Sequence, residues 1–185
     1  MKKTLFVSLF LLLFSGFIHA KDEGMSFVTI STGHSWFHKY SGFSKHGMNI
    51  ALNFEPSINR YFNIDTSLSL HFYLDDVIKN ELSGSKKKIV FLSPQISIGP
   101  RVSLPLLNDS FFLFLGAGIN FGAGIDYSHE TGDASADFSP GFHVKAGLNY
   151  IIGNRTGIGI NSKYTWSTVH LPHTLSLNIS LNFNY

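Results

Sequence analysis

Nine histidines occur in a chain of 185 residues that has no cysteine, and imidazole is the side chain best suited to carry protons or hold metals near neutral pH. His71 and His143, taken with Asp126 and Ser167, supply the parts of a hydrolytic site: a base, a carboxylate to orient it and a hydroxyl to attack. Such chemistry needs the base within hydrogen-bond reach of the nucleophile, and separation along the chain does not provide that. His34-x3-His38 and His170-x2-His173, with His46 and His129 beside them, are the metal candidates. Zinc asks for three or four converging ligands, and no His-Glu-x-x-His motif is present, so no metal or other cofactor is assigned. Glu55, Asp65, Arg101, Lys145 and Lys163 form a second group, with the charges of an ion-pair network. Lys86-Lys87-Lys88 and the aromatic run Trp36, Phe37, Tyr40 and Phe43 form a third, suited to contact with an anionic or partly apolar surface.

What positions these residues is a period of two that runs through almost the whole chain. From Phe62 to Phe72 the even positions are apolar or Thr66, and Asn63, Asp65, Ser67, Ser69 and His71 lie between them. That alternation belongs to a strand, because a helix repeats every 3.6 residues. The same pattern recurs at 48–55, 90–99, 111–122, 142–150, 157–166 and 175–183, with a weaker copy near Met25 to Gly33 in which Val28 and Ile30 share a face. Eight strands result. Short turns at 56–59, 105–110 and 153–156 alternate with longer polar connections at 34–46, 75–88, 126–137 and 167–173.

The first twenty residues read as a secretory signal: Lys2 and Lys3, an apolar run from Leu5 to Ile18, then Ala20 before a charged stretch. Its removal leaves one domain, 21–185, with 12 basic residues against 12 acidic ones. The absence of a basic excess sets nucleic-acid binding aside. Charged residues make up only 14% of the chain and aromatics 15%, which is little charge for a water-soluble domain. No run after the signal is long enough for a spanning helix. A chain that enters hydrocarbon without such a helix must close a sheet on itself, since unpaired backbone groups are too costly there. The polar face of the strands is mainly Asn, Ser and Gly with few Lys or Glu, as suits an enclosed interior whose side chains satisfy one another. The fold class is therefore all-β, an eight-stranded antiparallel up-and-down transmembrane β-barrel. Glu55, Asp65, Arg101, Lys145 and Lys163 are expected to pair inside it. Tyr61, Tyr73, Phe91, Phe112 and Phe114 are expected inside as well, filling the space left by Gly116, Gly118, Gly122, Gly124, Gly157 and Gly159. Phe54, Phe62, Phe111, Tyr150, Phe183 and Tyr185 then mark one membrane interface, and Phe72, Phe142, Tyr164 and Trp166 the other.

With that pattern, and with the closing stretch Asn178-Ile179-Ser180-Leu181-Asn182-Phe183-Asn184-Tyr185, the chain resembles the small eight-stranded outer-membrane proteins of the OmpX-like, OmpW-like and OmpA transmembrane-barrel kind. The resemblance implies a Gram-negative outer membrane, loops outside and termini in the periplasm. It implies partners in outer-membrane lipid and lipopolysaccharide, and a last strand read by the barrel-assembly machinery, although Ser180 stands where that signal usually has Gly. No periplasmic peptidoglycan-binding domain is expected after Tyr185. Three functions follow: a structural or cell-surface role in which the loops touch a host or surface ligand, a lipid A-modifying enzyme built on the rim histidines, and a narrow porin for small or apolar solutes. The first is favoured, because polar filler is the commoner use of such histidines and eight strands enclose a space that side chains can close.

Overall fold

The computed structural model describes residues 25–38, 44–79, 86–106, 110–128, 134–153, 155–168 and 171–185, with the backbone alone at 44–45, 73–79, 86–90, 126–128 and 134–135. The signal at 1–20, Tyr40, Phe43, His129 and His170 lie outside the described residues. Eight strands follow in order: β1 Phe27–His38, β2 Ser44–Glu55, β3 Phe62–Lys79, β4 Lys86–Leu106, β5 Phe111–Ser128, β6 Ala134–Ile152, β7 Thr156–Ser167 and β8 His173–Asn184. Each pairs antiparallel with the next, and β8 pairs with β1 from His38↔His173 to Phe27↔Asn184, so the barrel is closed.

Period-two alternation assigns every side chain to one of two faces. Leu68, Ile96 and Leu177 point outward and are 45%, 50% and 50% exposed, whereas Asn63, Ser97 and Asn178 point inward at 5%, 2% and 5%. The oily face is outside. A soluble carrier of this shape would have the faces reversed.

The strands run further than the sequence pattern marks them. β1 and β2 stay paired to His38↔Ser44, β3 and β4 to Lys79↔Lys86 past a bulge after Asp75, and β5 and β6 to Tyr127↔Ala134. The connections expected at 34–46, 75–88 and 126–137 are correspondingly shorter. A ladder is held by backbone groups, so it continues past the point where one face stops being apolar. Pairing of β2 with β3 ends at Met48↔Phe72 and that of β6 with β7 at Gly141↔Ser167, while β4 and β5 stay joined to Ile89↔Ser128. Strands β3 to β6 thus rise as a tall wall over a short wall made of β7, β8, β1 and β2.

β4 and β5 approach each other closely around Gly99 and Gly118. There a Cβ on Gly99 would strike the Ala117 carbonyl, and one on Gly118 the Ile98 carbonyl, so only glycine allows the approach. Replacing the outward Leu177 by Arg is expected to lower stability by about 2–4 kcal/mol where the position lies near the bilayer midplane, read as the shift of a urea titration in lipid vesicles. An unchanged midpoint would remove hydrocarbon from that face.

Candidate functional site

The lumen is stacked in layers from the turn end to the loop end. At its floor Phe27 and Phe112 meet edge to face, with ring centroids 6.4 Å apart. Above them Phe114 lies under the guanidinium of Arg101, 3.8 Å from the ring centroid, and 5.7 Å from the ammonium of Lys145, a favourable use of the ring's negative face. The charged layer follows. Glu55 pairs with Arg101, Lys145 donates to Glu55 at 3.4 Å and to Asp65 at 2.8 Å, and Lys163 donates to Ser97 Oγ at 2.7 Å. All five charged side chains are buried, three cations facing two carboxylates.

A neutral polar layer covers them. Asn49 donates to Ser35 Oγ at 2.8 Å, and that hydroxyl lies 3.0 Å from His71 Nδ1. Over this layer Phe37, Phe91 and Leu171 form a buried apolar cluster, in which the Phe37 ring stands edge-on to Phe91 at 5.8 Å and to His71 at 6.3 Å. Leu171 reaches in from the β7–β8 connection and packs where a Cβ on Gly124 would meet it, so that glycine makes its seat.

Among the described residues, Ser167 is not brought to either histidine of the hydrolytic set named from sequence. His71 and His143 are inward and buried. Ser167, however, turns to its own connection, its Oγ donating to the Pro172 carbonyl at 3.4 Å and its backbone N–H to His173 Nδ1 at 3.1 Å. The Asp126 side chain lies outside the described residues. Among the described residues a hydroxyl that does meet a histidine is that of Ser35, which the sequence pattern placed in an expected loop. It has no exposed surface.

Among the described residues no three metal-ligating groups converge. His34 and His38 are not on a loop but on β1, four strand residues apart and therefore about 13 Å from each other. Lys86, Lys87 and Lys88 open β4 at the loop end of the tall wall. Trp36 and Phe37, expected in a loop, also lie on β1, the first facing outward and the second filling the lumen. Tyr61 is not in the lumen either: it is exposed in the turn before β3, with Arg60 5.9 Å from its ring. Phe91, Phe112 and Phe114 do point inward and are buried.

A family model described as the outer membrane protein beta-barrel domain matches residues 6–183. The chain belongs to this outer-membrane barrel family. Similar folds among solved structures include Ail, the attachment invasion locus protein of Yersinia pestis, crystallised with the heparin analogue sucrose octasulfate. It has 16% identity and a TM-score of 0.59, over 89% of this chain and 100% of that one. Neisserial surface protein A has 14% identity and a TM-score of 0.64, over 88% and 100%. The outer membrane protein OprG of Pseudomonas aeruginosa has 12% identity and a TM-score of 0.56, over 89% and 96%. No curated protein matches the chain in sequence. Family and fold together place the barrel in a Gram-negative outer membrane.

The charged layer is open to a direct test. Glu55→Gln leaves three buried cations facing Asp65 alone and is expected to cost about 3–5 kcal/mol, while Glu55→Gln combined with Arg101→Met costs less than Glu55→Gln alone, because a surplus cation goes with it. Urea titrations of the three proteins in vesicles give the comparison.

Proposed function

We propose that the chain is a non-enzymatic outer-membrane barrel whose role is structural or at the cell surface, exercised through its loop end. The observation that carries this is the filled lumen: the aromatic floor, the paired charges, and the cluster of Phe37, Phe91 and Leu171 leave the barrel interior to its own side chains. Among the described residues neither alternative draws support from it. A porin needs a continuous wet path, and an acyl hydrolase needs its serine and histidine open to lipid, whereas Ser35 and His71 are both buried.

In this reading the loops face outward and both termini of the chain lie in the periplasm. β8, which closes the ring against β1, is the strand that the assembly machinery reads. Contact with lipopolysaccharide or a host ligand falls to the tall wall, where Lys86, Lys87 and Lys88 begin β4, and to the rim around Trp36. Ail, a barrel of similar fold, has been crystallised with a sulfated saccharide, and three consecutive lysines suit a polyanion of that chemical class.

Lipid A mass spectra from cells with and without the protein are expected to be identical, and the purified barrel to give no steady conductance step in planar bilayers. Loss of an acyl chain from lipid A would overturn the non-enzymatic reading, and a regular step would overturn the sealed lumen. Protease added to intact cells reads the orientation, since it cleaves loops only if they face outward.

A further inference from the structure

On the short wall, histidine marks the edge of the apolar band. The last aliphatic outward residue at the loop end is Met48 on β2 and Leu175 on β8, and the next outward positions are His46 and His173. On β1, Ile30 and Thr32 give way to His34, Trp36 and His38. These four are all the outward-facing histidines among the described residues, since His71 and His143 point into the lumen.

Register brings them together. His38 directly opposes His173, and Trp36 directly opposes His46. His34 Nε2 lies 3.3 Å from His46 Nδ1, and the Trp36 ring stands edge-on to His34 at 4.5 Å and to His46 at 6.4 Å. On the far side Tyr164 lies 6.4 Å from the His173 ring and 4.4 Å from Trp166, which places aromatics at the same height, as interface belts require. Among the described residues, no carboxylate, lysine or arginine faces outward on β7, β8, β1 or β2, so Tyr164 is the one other titratable group beside the histidines on that face.

Two neutral imidazoles in contact share one N–H···N bond. A second proton would set two cations against each other, which is unfavourable unless an anion lies across both. A phosphate offers several strong acceptor oxygens for that purpose. At the edge of the hydrocarbon the group available is a lipid headgroup.

We infer that His34, His38, His46 and His173 form a docking face for phosphate-bearing lipid headgroups, and that its hold tightens as pH falls. The inference rests on the proposed placement of the loop end in the outer leaflet. Its sign follows from linkage: a bound phosphate favours the protonated rings, so binding takes up protons and strengthens at lower pH. Imidazole is the side chain whose charge ordinarily changes between pH 5 and 8.

Both tryptophans of the chain, Trp36 and Trp166, stand at this rim, so intrinsic fluorescence reports on it. The full chain in nanodiscs of a phosphate-free galactolipid is titrated with bisphosphorylated lipid A, and separately with dephosphorylated lipid A, at about pH 7.5 and about pH 5.5. Affinity for the phosphorylated form is expected to rise about thirtyfold at the lower pH, the effect of adding two cations beside an anionic surface, while affinity for the dephosphorylated form stays level. The variant with His34, His38, His46 and His173 all changed to Gln should keep its heat-modifiable fold and lose the pH dependence. His34→Lys with His46→Lys should bind strongly at both pH values. The same pH dependence with dephosphorylated lipid A, its persistence in the Gln variant, or its abolition by a chelator would each overturn the inference. Nanodiscs present the same headgroups on both faces, so this result does not depend on orientation in the cell, which protease on intact cells reads separately.

Discussion

Hydrocarbon offers no partner to a backbone N–H or C=O, and the whole molecule is arranged around that fact. A sheet in such a medium has to close, and here β8 completes the ring against β1 along its full length. Closure with eight strands fixes a narrow bore. A narrow bore has to be packed, because empty space forfeits dispersion contacts and trapped polar groups need partners. The inner face therefore carries short polar side chains, Asn, Ser and Thr, together with glycines that let β4 and β5 approach each other closely. The outer face carries whatever dissolves in lipid, and the alternation of strand residues separates the two jobs without further devices.

The five charges are the exception to that economy, and their placement explains how they are tolerated. Lys145 on β6 reaches Glu55 on β2 and Asp65 on β3, and Arg101 on β4 reaches Glu55. These contacts cross the lumen, so they tie together strands that share no ladder, over separations of 80 and 90 residues. Replacement of such buried pairs by apolar groups is often neutral in stability, whereas removal of one partner is costly. The cluster thus acts as a set of mutual obligations among strands. Phe114 shares the load from below by presenting its ring face to Arg101 and Lys145.

Which residues face lipid and which face the lumen was legible in the sequence, because period two is a property of the strand itself and survives any error in where the strand ends. Phe91, Phe112, Phe114 and the five charges could all be assigned a side from parity alone. Strand ends were not legible. The stretch from Asp75 to Lys79, opening on two aspartates, looks like a loop, yet the backbone goes on pairing, and a ladder carries no side-chain signature once it leaves the membrane. That error hid Ser35 and Phe37, which lie on the same extended part of β1 and complete the top of the lumen. Tyr61 failed for the opposite reason: it precedes β3 and sits in a turn, where parity has no meaning. Leu171 had no signal at all, since a connection folding back over the barrel leaves no periodicity to read. The contact between His34 and His46 needed the register of β1 against β2, which only the whole structure supplies.

The unequal heights of the two walls divide the loop end into surfaces of different chemistry. The tall wall carries its lysines where β4 begins, at the tip of the β3–β4 pair and beyond the last outward aliphatic residues of β2 and β8. Lysine keeps its charge across the physiological range, so a contact made there has constant electrostatics. The short wall ends at the edge of the apolar band, and what stands there is histidine between aromatic rings. A charge of fixed sign at that height would have to be solvated or paired at all times, close to hydrocarbon, whereas an imidazole can be neutral beside the acyl chains and charged beside a phosphate. The side chain that tolerates both environments occupies the boundary between them on three adjacent strands, β2, β1 and β8. The same closure that divides the two faces thereby leaves imidazole, and not lysine, at the outer rim of the short wall.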